Sequence, residues 1–224
     1  MSPNSAATSA ASSSSSASTR DRLVDTMAAA LCRRGYHGVG LAELLEQAGA
    51  PKGVLYHHFP GGKAELAVAA IQRVVERLAT SLDRVAAAGA DPVPMLRHWM
   101  AAAEQQLSRS GFEHGCPLAT VALESTAEDV ALRAALAEGF ATLRGRLATA
   151  LAAGGMAPPR AIRLAALAVA AYEGALMQAR VAGDVQPMRD AAETLLELIG
   201  AEMPSPPSPP SAPAPGPSTS GTDR

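Results

Sequence analysis

Apolar positions recur at helical spacing from Leu23 to Ile199, and no stretch alternates apolar and polar residues as a half-buried strand would. Thr19 reads as an N-cap, with Asp21 in the first turn where a carboxylate suits the helix dipole. Leu23, Met27, Ala30 and Leu31 line that first helix, and Arg33, Arg34 and Gly35 end it. A short amphipathic helix from Leu41 to Ala48 is stopped by Gly49. A third, led by Pro51, carries Val54, Leu55, His58 and Phe59 and breaks at Pro60-Gly61-Gly62. A long helix starts near Lys63 and runs towards Ala88. Further helices are predicted over about Val93–Ser110, after Pro117, and over about Glu128–Ala153, Arg160–Ala182 and Gln186–Gly200. The fold class is all-α, with no internal repeat.

Composition sharpens the borders. Residues 1–19 are almost entirely Ser, Ala, Thr and Asn, and residues 203–224 are rich in Pro and Ser. Neither flank buries enough apolar surface to offset ordering entropy, so both read as disordered tails. The folded part divides at the long helix into residues 20–66 and 67–202. Of the 224 residues, 48% are hydrophobic, and the net charge of −2 neither demands nor excludes nucleic acid. No apolar run is long enough for a membrane span and no secretory signal is evident, which points to the cytoplasm. Two distant cysteines, Cys32 and Cys116, argue against a disulfide framework.

The first three helices have the spacing of a helix-turn-helix unit, whose last helix enters the DNA major groove N-terminus first. Gly49 makes the turn, and Pro51 fixes the backbone where a missing N–H costs nothing. Lys52 and Gly53 then form the leading turn, one supplying charge and the other close backbone approach. Tyr56 and His57 follow on the outward side with groups that reach phosphate oxygens. Lys63 starts the next helix, where free N–H groups already favour an anion. Arg20, Arg22, Arg33, Arg34, Lys52 and Lys63 make this end basic, while acidic residues dominate from Asp83 onward.

Gly49-Ala50-Pro51-Lys52-Gly53-Val54-Leu55-Tyr56-His57-His58-Phe59, followed by Lys63-Ala64-Glu65-Leu66, resembles the helix-turn-helix signature of the TetR/AcrR family of transcriptional regulators. Pro60-Gly61-Gly62-Lys63 and Gly115-Cys116-Pro117-Leu118 resemble its LmrA/YxaF-like branch. The resemblance implies an all-helical homodimer, usually a repressor, released from a palindromic operator by a small-molecule effector. It also implies that the last two helices pair with their mates; an ordinary intramolecular core is the other reading of those helices. The family commonly has Ser or Thr where this chain has Val54, which exchanges a hydroxyl for apolar contact with DNA.

Candidate effector contacts come from the scarce aromatic and sulfur residues of the second half: Trp99, Phe112, Cys116, Phe140, Tyr172 and Met177. Each could equally fill the core. Glu124 and Glu173 stand on otherwise apolar helices, to bond a ligand or face solvent. Cys116, before Pro117 at a helix start, reads first as a small buried hydrophobe and second as a redox sensor. His57 and His58 are adjacent and point apart without a third ligand, so no metal is expected, nor any cofactor. A helical-bundle enzyme would use Cys116 with His114 or His98, but no nucleotide, phosphate or triad motif accompanies them. A helical protein-interaction module without DNA binding is the remaining alternative.

Overall fold

The computed structural model describes residues 18–87 and 91–203. The expected tails therefore lie outside the described residues, apart from their inner ends. Among the described residues there are nine helices and no strand: α1 Thr19–Arg34, α2 Leu41–Gln47, α3 Lys52–His58, α4 Gly62–Ala87, α5 Pro92–Arg109, α6 Pro117–Glu124, α7 Val130–Ala153, α8 Pro158–Ala182 and α9 Gln186–Glu202.

Ser18, rather than Thr19, caps α1, its hydroxyl accepting from the Asp21 N–H at 3.1 Å. Thr19 instead supplies its hydroxyl to the Arg22 guanidinium. The turn between α2 and α3 is a Schellman motif. The Ala50 N–H reaches the Leu45 carbonyl and the Gly49 N–H the Glu46 carbonyl, both at 3.0 Å. Gly49 takes φ +59° to close it, and Ala50 and Leu45 are both buried beneath.

Leu23, Met27 and Leu31 of α1, Leu44 of α2 and Leu55 of α3 close over Phe59 and over Leu66 and Ile71 of α4. Polar clamps reinforce this core. Arg73 of α4 bonds Asp21 at 2.6 Å and Asp25 at 3.2 Å, and Arg77 adds a second bond to Asp25 at 2.6 Å. Arg34 grips Glu43 with two bonds, at 2.7 and 2.8 Å.

At 26 residues, α4 is roughly 39 Å long and belongs to both halves. Its first turns pack on α1, and its later turns pack on α7. The α4–α7 crossing is close because Gly139 has no side chain: a Cβ there would lie 2.7 Å from Val75 Cγ2. Beyond it, α7 packs on α8, α8 on α9, and α5 on α9. Arg160 of α8 pairs with Glu202 of α9 to close the end of the bundle.

Candidate nucleic-acid interface and effector cavity

Helix α3 stands on a buried Leu55, which leaves Lys52, Gly53, Tyr56 and His57 exposed on its outer side. Open space surrounds Gly53, so the backbone there is approachable. Tyr56 is 45% exposed, and its ring lies beside Gly62, where a Cβ would sit 3.3 Å from Tyr Cε1. Val54 and His58 are half-buried. His57 and His58 meet edge to face, and among the described residues no cluster of three ligands could hold a metal.

Lys63 stands in the first turn of α4, as expected, with a contact the sequence did not indicate. Its ammonium lies 4.6 Å from the centroid of the Tyr36 ring, half-buried between α4 and the loop after α1. Burial holds its pKa below the usual lysine range, against the opposing pull of the Glu124 charge. Much of the basic character of this end is likewise spent internally. Arg34 is taken by Glu43, Arg20 lies 5.2 Å from the Phe59 centroid, and Arg22 bonds the Ala48 carbonyl.

The second half holds a cavity of about 360 Å³, partly open to solvent, walled by Val74 and Leu78 of α4, Trp99, Ala103 and Leu107 of α5, and Tyr172 and Leu176 of α8. Cys32 of α1 and the α6 start, Cys116-Pro117, complete it. Trp99 and Tyr172 stack with centroids 4.4 Å apart. Three of the six expected contacts, Trp99, Cys116 and Tyr172, thus meet at one site. The other three do not join them. Phe112 is held at φ +64° in the α5–α6 loop and faces a separate groove with Arg33, Arg34 and Arg180. Phe140 looks into a groove between α6 and α7, and Met177 is 53% exposed on the outside of α8. Helical phase assigns a face to each residue but not what that face meets.

Neither glutamate lines the cavity. Glu124, at the end of α6, accepts the His37 N–H at 3.0 Å. The carboxyl oxygens of Glu173 are buried, without a hydrogen-bond partner among the described residues. Helix α6 therefore touches the cavity at one end and the helix-turn-helix unit at the other. Its start is tied to α1 as well: Gly115 N–H donates to the Cys32 carbonyl at 3.0 Å, and Arg33 donates to His114 Nε2 at 2.7 Å. Burial and the Arg33 charge hold the His114 pKa below the usual imidazole value, in keeping with a neutral acceptor.

Residues 23–70 match the bacterial regulatory proteins of the tetR family, and residues 92–194 match the C-terminal domain of LmrA/YxaF-like transcriptional regulators. An uncharacterized HTH-type transcriptional regulator of Mycobacterium tuberculosis is 33% identical over 193 residues, covering 83% of this chain and 96% of that protein. The chain belongs to the TetR family of transcriptional regulators. HTH-type transcriptional regulator LmrA of Bacillus subtilis is 25% identical over 181 residues, 81% of this chain and 96% of that protein. Among solved TetR-family folds, a regulatory protein TetR from Rhodobacter sphaeroides superposes with a TM-score of 0.71 at 27% identity, covering 80% of this chain and 97% of that one. As a TetR-family member the chain is a DNA-binding transcriptional regulator with the fold expected from its sequence. Among the described residues no helix is long and apolar enough to cross a membrane.

Proposed function

We propose that this TetR-family chain is a cytoplasmic homodimeric repressor that leaves a palindromic operator when a small, largely apolar effector fills the cavity. The observation that carries the reading is the span of α6, from Cys116 at the cavity wall to Glu124 on the His37 N–H. An effector that favours a shifted α6 biases the placement of α1 and α3 through these contacts.

On the DNA side, Lys52 meets phosphate or a base acceptor, Gly53 admits the backbone, Val54 offers apolar contact, and Tyr56 and His57 bond phosphate oxygens. Lys63, shared between Tyr36 and Glu124, is the joint between α4 and the helix-turn-helix unit, and phosphate competes for it. Exposed Ile162, Leu167, Met177 and Val181 give α8 an apolar outer face suited to a second copy. Selection of duplexes from a random pool tests the reading. Enrichment of an inverted repeat supports it, and a pool unchanged after selection overturns it.

A further inference from the structure

Hydrogen bonds from three elements gather where the α5–α6 loop meets the end of α1. The His114 N–H donates to Oγ of Ser110, the C-cap of α5, at 3.1 Å, which fixes the loop on the α5 side. The Gly115 N–H donates to the Cys32 carbonyl at 3.0 Å. Arg180, in the last turn of α8, donates to the Arg33 carbonyl at 3.3 Å. It also lies over Gly115, where a Cβ would sit 3.5 Å from Arg180 Cδ. Arg33 in turn donates from Nε to His114 Nε2 at 2.7 Å. An arginine Nε always carries its hydrogen, so Nε2 is the acceptor and the ring is neutral, with its proton on Nδ1. A second ring proton would occupy the accepting nitrogen and place a cation beside guanidinium groups. The charged and titratable groups around the ring are Arg33 and Cys32 of α1, Glu113 of the loop, Cys116 at the α6 start and Arg180 of α8. Glu113 lies 3.8 Å from Arg33 Nε, placed to receive the guanidinium that a protonated His114 repels. Burial and then the Arg33 charge outweigh the pull of Glu113 on the ring.

We propose that His114 is a proton-sensitive latch between the two halves of the chain. Neutral, it holds the α5–α6 loop on the end of α1; protonated at Nε2, it releases Arg33 and loosens the seat of the helix-turn-helix unit. The latched state excludes the proton, while the released state binds it with the ordinary imidazole value of 6.5. The latch is therefore closed above that value and opens as pH falls below it. Release leaves α1 joined to the body by α4 and by the Glu124 bond to the His37 N–H, which widens the range of positions open to α3. A duplex binds only the fraction of molecules with α3 correctly placed, so affinity falls as the latch opens. This effect on DNA rests on the reading of α3 as the operator-reading helix. His114 and Cys116 also line the cavity, so the latch sits at the joint between the cavity wall and α1.

Nuclear magnetic resonance of the full chain tests the latch without DNA. The His114 ring, assigned by its absence in His114→Gln, should titrate below 6.5, and Arg33→Ala should raise its midpoint. Exchange of the Gly115 N–H reports whether the loop stays on α1. Its protection, relative to the intrinsic rate at each pH, should fall in the parent between pH 7.5 and pH 5.5. In His114→Gln it should hold, because the side-chain carbonyl still accepts from Arg33 and takes up no proton. The ratio of parent to His114→Gln affinity for a selected duplex should drop at least about fivefold over the same range. That ratio cancels the titration of His57, which both proteins carry. A His114 midpoint at or above 6.5, or Gly115 protection that acid leaves unchanged, overturns the latch. Opening with a constant affinity ratio overturns its regulatory role and spares the latch. Absence of duplex binding at every pH overturns the reading of α3, and the exchange result then decides the latch alone.

Discussion

The carboxylate of Glu124 occupies the space in which a side chain at Gly35 would begin. A Cβ on Gly35 would lie 1.8 Å from Glu124 Oε1. The same glycine adopts φ +67° as the chain leaves α1, so two constraints meet at one position. Release of the α1 end from side-chain bulk lets the end of α6 dock against the loop that leads into α2. The C-terminal half thereby reaches the helix-turn-helix half through a hydrogen bond to backbone, on His37, as well as through the continuous α4.

Gly35→Ala should destabilise the chain by about 1–3 kcal/mol, because both backbone strain and collision with Glu124 are introduced. Glu124→Ala should recover part of that loss, since it removes the colliding group. Thermal unfolding of both single variants and the double variant measures the coupling. Additive effects would show that the contact is not made.

Tyr56→Ala should weaken a selected duplex by about 1–3 kcal/mol. Lys52→Ala should lower the slope of log K against log salt by about one, as expected for the loss of one phosphate contact. Lys52 is exposed, so its variant should keep the wild-type unfolding temperature. Anisotropy titrations at several salt concentrations provide both quantities.

The Glu173 carboxyl has a folded pKa raised from 4.5 to about 7. Folding therefore binds a proton more tightly than the unfolded chain does, and stability falls as pH rises from about 4.5 to about 7, then stays level. The decline amounts to roughly 3 kcal/mol, and Glu173→Gln should remove it. Denaturant titrations at pH 4, 6 and 8 should find the variant similar to the parent at the lowest pH and more stable at the highest. A parent curve that is flat between these values would mean the carboxyl is solvated.

Trp99 is the chain's one tryptophan, and it lines the cavity. Occupancy should change its emission, and Ala103→Phe, which fills the space beside it, should abolish that change while leaving DNA binding intact. Fluorescence titration with candidate apolar compounds reads this directly.

Val181 is 85% exposed on the outside of α8, and Met177 precedes it by one turn. Replacement of either by Glu should convert a dimer to a monomer in sedimentation velocity, because a charge would be buried without a partner. A monomeric parent would remove the dimer from the account.

The local signals were legible in sequence. Gly35, Gly49, Pro51 and Pro117 mark their helix boundaries, because each acts through a local backbone preference that distant neighbours do not alter. The exposed row on α3 followed from the phase of Leu55. The cavity was legible only in part. Trp99 and Tyr172 were singled out for their polar handles, but periodicity gave no means of separating them from Phe140 or Met177. That choice is made by which helix lies opposite. The contacts of Lys63 with the Tyr36 ring and of Glu124 with the His37 N–H were not legible, because both are long-range in the chain and the second rests on a backbone N–H, which carries no residue-type signal.

The central claim is that α3 reads DNA through Lys52, Gly53, Tyr56 and His57. It is tested most directly by titrating the full chain into its selected duplex and into a scrambled duplex at moderate ionic strength. The account predicts a preference of at least about 10³-fold for the selected sequence. It also predicts that Lys52→Ala and Tyr56→Ala together remove most of the binding. Equal affinity for both duplexes, or full binding by the double variant, would contradict it.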